Sequence, residues 1–316
     1  MITTAVILAA GRGSRLKEVT ATRSKAMAPV AGKPIIARVI DELSAAGISD
    51  CVVVAAPHDE ELVRFCALHG HSVVIQEKPL GSADALKGCK VHVSGDFLVC
   101  ACDSIVPAAD IRSLVATHVA GASATLSVIE VEPTVSLAAR SVVAIEGERV
   151  ADIIEKPSAS ERISNVSSLP LYVFSQDIFA EIALLEPSLR GEYEIPEALR
   201  RLIRSGKLVR FCVAAERRDL TDQSDLLALN EHYLNLLAPA IQVHPSVVLP
   251  SSVKLVPPVL IEEGVSIGEM AVLGPAVYLE RCVSVGAGCS LRRSVITRGS
   301  IVTQDVERCV IVSQGS

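Results

Sequence analysis

Along the first 130 or so residues, short apolar runs alternate with segments of helical periodicity. The runs at Ala5–Leu8, Cys51–Ala56, Val73–Gln76, Phe97–Cys102 and Ala124–Val131 have the length of strands rather than helices. Between the first two, Ile35, Ile36, Val39, Ile40 and Leu43 share one helical face, with Pro34 suited to the first turn and Gly47 to the stop. Repetition of strand, helix, strand predicts an α/β fold built on a doubly wound, mostly parallel sheet. Residues 140–215 are less regular, with strands expected at Ser141–Ile145, Val150–Ile154, Leu171–Phe174 and Leu208–Ala214 and two helices before the last of them. A helix from about Asp222 to Leu236 leads to Pro239, which divides the chain into domains at 1–238 and 239–316.

Beyond Pro239 the period changes from that of strands and helices to six. Ile241, Val247, Val253, Val259 and their successors through Val277, Val283, Cys289, Val295 and Ile301 are spaced by six without a slip. A second register, two residues on, runs from Val243 to Leu291, and Gly268, Gly274 and Gly286 fall at corresponding turn positions. A hexapeptide period predicts a parallel β-helix, since the period-two strands of a sandwich would not keep this register over so many repeats. Similarity to the left-handed hexapeptide class implies three hexads per coil, hence about three and a half coils over residues 241–306.

Composition narrows the classes of function. With 316 residues, half of them apolar, the chain can bury one large core or two smaller ones. A net charge of −6 and the lack of a basic stripe argue against a nucleic-acid partner. No apolar run reaches the ~18 residues of a membrane span. The nine scattered cysteines show neither a zinc spacing nor a disulfide framework, and with no basic leader at the N-terminus the expected location is a reducing cytoplasm.

Charge is distributed unevenly, however. Residues 11–33 carry six basic side chains (Arg12, Arg15, Lys17, Arg23, Lys25 and Lys33) against the single acid Glu18. They follow the apolar run Ala5-Val6-Ile7-Leu8 and include Gly11 and Gly13, so backbone N–H groups and cations meet at a strand end, an arrangement suited to triphosphate. Neither the dinucleotide fingerprint nor the P-loop is present, because Leu16 occupies the place of the third glycine and no G-x-x-x-x-G-K-[ST] occurs.

The stretch Leu8-Ala9-Ala10-Gly11-Arg12-Gly13-Ser14-Arg15-Leu16, with Ser24-Lys25 and Pro29-Val30-Ala31-Gly32-Lys33-Pro34, resembles the signature of the sugar-1-phosphate nucleotidylyltransferases, L-A-A-G-x-G-x-R-L, P-K and P-V-x-G-K-P. Ser24 stands where that family has proline. The resemblance covers nearly the whole chain and implies a Rossmann-like nucleotidyltransferase fold followed by a short left-handed β-helix. It also implies Mg²⁺-dependent transfer of a nucleotidyl group from a nucleoside triphosphate to a sugar 1-phosphate, with pyrophosphate leaving. UTP and dTTP are favoured over CTP and GTP.

Residue by residue, the resemblance puts Arg15 and Lys25 on the triphosphate and wraps the nucleotide with Leu8, Ala10, Gly11 and Gly13. Asp103, after the strand Leu98-Val99-Cys100-Ala101-Cys102, and Asp219, in Asp219-Leu220-Thr221-Asp222, match the family's magnesium ligands. Gln76 opens a segment close to Q-x-x-x-L-G-T-A-x-A-L; its carboxamide can pair with a pyrimidine edge, with Gly81 letting the base lie against backbone. Glu155-Lys156-Pro157 matches the family's E-K-P, which implies Glu155 on sugar hydroxyls and Lys156 on the sugar phosphate. Asn165 matches a sugar contact. In Arg190-Gly191-Glu192-Tyr193-Glu194-Ile195, Glu192 is expected to face ligand and Glu194 to begin a helix. Ser141, Pro170, Thr221 and Asp222 depart from the family pattern and would reshape the sugar pocket. Two alternatives stand beside catalysis by this site: a non-catalytic sugar-nucleotide-binding regulator, and an acyltransferase tail whose one histidine is His244. The tail is otherwise expected to join subunits into a homo-oligomer.

Overall fold

The computed structural model describes residues 2–11, 13–132, 134 and 140–313. Packing divides the chain into two units that are not continuous in sequence: Met1–Arg12 with Val39–Arg218, and Gly13–Arg38 with Asp219–Ser316. The division therefore does not follow the boundary read at Pro239, because a segment of the signature and the helix before Pro239 share a unit with the tail.

In the first unit the apolar runs become β1 (Thr4–Leu8), β2 (Asp50–Ala55), β3 (Ser72–Ile75), β4 (Phe97–Ala101) and β5 (Ala122–Glu130). The less regular part supplies β6 (Ser141–Glu146), β7 (Arg149–Glu155), β8 (Val166–Phe174) and β9 (Leu208–Val213). All nine form one sheet in the order β3-β2-β1-β4-β8-β5-β9-β7-β6. The strands β3, β2, β1 and β4 are mutually parallel, as are β5 and β9, whereas β8 runs antiparallel to β4 and β5 and β7 runs antiparallel to β9 and β6. Strand β8 begins at Val166, five residues before the expected start at Leu171. Its register with β5 shifts between Ser168 and Tyr172, so Pro170 sits where the ladder is already interrupted and its missing N–H costs little.

Val6, Val99, Leu126 and Phe174 from the strands join Ile195, Ala198, Leu199 and Leu202 of the helix Ile195–Arg204 in one buried cluster. The other face of that helix is charged, with Arg200 bridging to Asp152 and Arg201 to Glu181. The parallel strands finish together: Leu8 pairs with Val54 and Ala101, Cys102 N donates to Leu8 O at 3.2 Å, and Gln76 N to Ala55 O at 2.9 Å. In such sheets the loops leaving this edge carry the ligand site.

In the second unit the tail is a parallel β-helix with faces of five, four and three strands. Val259 pairs with Val277, an 18-residue return and therefore three hexads per coil. The return shortens to 17 residues where Val277 meets Ser294 and to 15 where Val295 meets Val310. Here the unbroken six-residue register fails. Turn residues with positive φ fall at Gly264, Met270, Ala276, Cys282 and Gly288, and the next, Arg293, comes one residue early. In consequence Val295 pairs with the outward Tyr278, Ile296 takes the inner position, Ile301 is 73% exposed and Val302 replaces it inside. Gly268 and Gly274 are not simple turn glycines: a Cβ there would lie 2.4 Å from Ala287 N and 1.8 Å from Val256 O, so they are close approaches between coils.

The helix Gln223–Asn235 packs on the strands Val277–Leu279, Ser294–Ile296 and Val310–Ile311 and on the hairpin strand Pro29–Val30. Its buried Asn230 accepts from Ala31 N at 2.8 Å and donates to Pro29 O and Leu226 O. Among the described residues no helix is long and apolar enough to cross a membrane. None of the nine cysteines is in a disulfide, and burial pushes the Cys89 thiol up to about 12.

Candidate active site

Within the first unit, the loop after β1 carries Ala10 and Gly11 away from Leu8, and Asp103 follows β4 two residues beyond Ala101. The bond from Cys102 N to Leu8 O ties these two strand ends together. A Cβ at Gly11 would meet nothing within 4 Å, so open space lies beside this residue. The left-handed turn is made by Gly13 instead, at φ 59°. Arg12 lies outside the described residues.

Gln76 continues from β3 and its amide nitrogen donates to Gly81 O at 3.1 Å and to Asp84 Oδ2 at 2.8 Å. Both amide hydrogens thus brace the segment's own loop, leaving the carbonyl oxygen as the end suited to an external donor. Gly81, at φ 113°, caps the helix Ser82–Lys87. A Cβ on it would lie 2.3 Å from Tyr193 O. Around it, Tyr193 N donates to Leu80 O, Ala83 N to Tyr193 O and Ile195 N to Ser82 Oγ. The Gln76 loop and the Arg190-Gly191-Glu192 loop are in this way stitched into one wall.

Four charged side chains meet beside that wall. Lys156 leaves the end of β7 in a left-handed turn at φ 47°, its N–H donating to Arg140 O. Its Nζ is 3.5 Å from Glu155 Oε1 and 3.8 Å from Glu194 Oε1. Arg190 Nη2 donates to Glu194 Oε2 at 2.6 Å, and the hydrogen bond to Glu194, with the nearby charges of Glu155 and Glu192, raises the Arg190 pKa. Ser141, one of the departures from the family pattern, donates its hydroxyl to Glu155 Oε2. Burial raises the nearby Tyr172 phenol well above its ordinary value.

Glu194 is the N-cap of the helix Ile195–Arg204, as the sequence led us to expect, and its buried carboxylate also joins the cluster. That second role, and Arg190 itself, were not read from the sequence. The Arg190–Glu194 spacing of four was the available signal. Asn165 is not part of the cluster: it is exposed, and its Oδ1 accepts from Arg162.

Within the second unit, Arg15 lies in the short turn Ser14–Leu16 and is exposed, while Lys25 opens the turn Lys25–Met27 and is half-buried. A Cβ on Gly13 would stand 2.9 Å from Thr20 Cγ2 and 3.2 Å from Lys25 Cβ, so the glycine lets this loop fold back on the lysine stem. Asp219 is half-buried just ahead of the helix Gln223–Asn235. The departure at Asp222 has a local cause, since this residue caps that helix. Its Oδ1 accepts from Ser224 N, Ser224 Oγ and Asp225 N, and Asp225 reciprocates to Thr221 N and Asp222 N. These bonds and the Arg15 charge hold the Asp222 carboxyl below its ordinary range.

Arg23 does not serve as a free cation of the loop. It is 8% exposed and forms a two-pronged pair with Glu280 of the β-helix. His244, the one histidine of the tail, bonds to Ser246 Oγ. Among the described residues no group of three or more His, Cys, Asp or Glu side chains is placed to hold a metal ion.

The glucose-1-phosphate thymidylyltransferase of Streptomyces griseus is 28% identical over 314 residues, 97% of this chain and 83% of that protein. The bifunctional protein GlmU of Methanococcus maripaludis is 29% identical over 267 residues, 82% of this chain. The chain spans about 60% of the length of that relative. A UDP-glucose pyrophosphorylase complexed with UDP-glucose shares the fold, with a TM-score of 0.67 at 19% identity over 75% of this chain and 100% of that one. Residues 4–235 match the family described as Nucleotidyl transferase, and the chain belongs to that family.

Proposed function

We propose that this protein transfers a uridylyl or thymidylyl group from its triphosphate to a sugar 1-phosphate, releasing pyrophosphate, with Mg²⁺ as cofactor. The observation that carries the reading is the meeting of Lys156, Arg190, Glu155 and Glu194 beside the Gly81 wall. A cation pair suits a phosphate monoester, and carboxylates suit sugar hydroxyls. The nucleophile is a phosphate oxygen, already anionic at neutral pH because its second ionisation lies near ~6, so no side-chain base is needed. Positioning and charge neutralisation then carry the rate, with Arg15 and Lys25 assigned to the triphosphate.

Asp103 and Asp219 are the residues we assign to the metal. The donor chemistry fits: both offer hard carboxylate oxygens, and Mg²⁺ is commonly held by one or two carboxylates with water and substrate phosphates completing its shell. When bound, Mg²⁺ would neutralise charge on the triphosphate. The nucleotide preference rests on Gln76 and Gly81, and the Streptomyces and UDP-glucose relatives support a pyrimidine. For the tail we propose subunit assembly, supported by the exposed apolar side chains Val248, Met270 and Ile301. A pyrophosphate-release screen of four nucleoside triphosphates against a panel of sugar 1-phosphates, with and without Mg²⁺, tests the reading. Turnover should require Mg²⁺ and favour UTP or dTTP; absence of turnover with every pair would favour a binding role instead.

A further inference from the structure

The segment between Gly13 and Lys25 is held by the β-helix at Thr22 and Arg23. Arg23 donates Nη1 to Glu280 Oε1 at 2.7 Å and Nη2 to Glu280 Oε2 at 2.9 Å. Glu280 Oε2 also accepts from Arg298 N at 2.7 Å, and Arg298 Nη2 donates to Thr22 O at 3.2 Å. Two coils of the tail thus grip Thr22 and Arg23 through three hydrogen bonds, and a fourth, from Arg298 N to Glu280, ties the two coils together. A fork of two parallel bonds fixes the orientation of both planes as well as their distance.

That orientation is passed along a short, stiff path. Ser24, the next residue, precedes the turn Lys25–Met27, closed by Met27 N to Ser24 O and Ala28 N to Lys25 O. Gly13 lies against the Lys25 stem and receives the Thr20 hydroxyl on its carbonyl at 3.3 Å, while Leu16 N closes the Arg15 turn on the same carbonyl. A change at Arg23 therefore moves Lys25 directly and Arg15 through Gly13. Stability alone does not explain a buried ion pair here, because apolar residues of similar volume would pack as well or better.

We propose that Glu280, assisted by Arg298, is a positioning residue for the triphosphate, acting through Arg23 on Lys25 and Arg15. The β-helix on this view is part of the nucleotide site as well as a candidate for assembly. The inference rests on the reading of Lys25 and Arg15 as triphosphate ligands.

The test compares full-length Glu280→Gln, the apolar double variant Arg23→Met with Glu280→Leu, and Lys25→Ala. Steady-state kinetics for the triphosphate and the sugar 1-phosphate are combined with hydrogen exchange at the amides of Leu16, Met27 and Ala28. Glu280→Gln should lower kcat/KM for the triphosphate by roughly fivefold or more while leaving the KM for sugar 1-phosphate nearly unchanged. Exchange at those three amides should quicken, with Val285 and Leu291 in the tail core protected as before. The double variant, which should fold even if the single one does not, should keep the kinetic defect. A smaller kinetic effect in Glu280→Gln, or full activity in the double variant, would reduce the pair to structural glue and overturn the proposal. Lys25→Ala separates the two levels: if it is inactive while the Glu280 variants are normal, only the positioning role fails. If Lys25→Ala turns over normally, the triphosphate reading itself fails and the positioning role with it.

Discussion

Lys156 Nζ lies 3.8 Å from Glu194 Oε1, on the same carboxylate whose other oxygen accepts from Arg190. Glu194 thereby holds two cations side by side at a helix N-terminus. The Lys156 side chain is 35% exposed, enough to meet an incoming anion without being pulled from a buried pair. Lys156→Met is expected to raise the KM for sugar 1-phosphate about tenfold, equivalent to ~1.4 kcal/mol, with little change in Tm. Initial rates at varied sugar phosphate check this, and an unchanged KM would remove Lys156 from the sugar-phosphate site.

At Gly81 the backbone leaves no room for a side chain. With φ at 113° and Tyr193 O 2.3 Å from a would-be Cβ, Gly81→Ala should force the two loops apart and cost roughly 1–3 kcal/mol. Urea denaturation should show the loss, together with weaker nucleotide binding. A variant as stable as the parent would mean that the wall opens freely.

Ser24 offers a change in the opposite direction. Its φ of −69° and ψ of 162° are those of proline, and its buried hydroxyl has no hydrogen-bond partner among the described residues. Ser24→Pro is expected to stabilise the protein by about 0.4–1 kcal/mol by restricting the unfolded chain. Destabilisation in the same denaturation assay would refute this account.

Asp222 sets a pH dependence of known sign. Its folded pKa is lowered by the bonds from Ser224 and Asp225 and by Arg15, so at acid pH the unfolded chain binds the proton more readily. The stability it contributes is full above the ordinary value of 3.8 and is lost as the pH falls through the lower folded value. Tm should decline over that acid window, and Asp222→Asn should flatten the decline. Parallel Tm profiles in the two proteins would contradict the assignment.

Much of the fold, and the motifs of the candidate site, were legible because their signals are local. Gly11, Gly13, Gln76, Gly81, Asp103 and Lys156 belong to short motifs that the resemblance reads, and β1 to β4 appear within a residue or two of where the periodicity places them. The helix Gln223–Asn235 was readable for the same reason, but the capping role of Asp222, read only as a departure from the family pattern, was not. Strand β8 was read only from Leu171, and the pairing with β5 reveals its earlier start and the shift that accommodates Pro170.

What the sequence by itself determined is periodicity and the chemistry of strand ends: an α/β sheet, a six-residue coil repeat, a basic glycine loop. These follow from how successive side chains alternate or recur along one chain. The tertiary structure decided which long side chains meet. Arg23 reads as one more cation of the loop until Glu280, 257 residues away, neutralises it, and Glu194 reads as a helix start until Lys156 and Arg190 converge on it. It likewise decided the slip that turns Ile301 outward, because a coil one residue short is visible only where it must stack on its neighbour. Contacts between distant segments depend on packing and on side-chain reach, which no local pattern encodes.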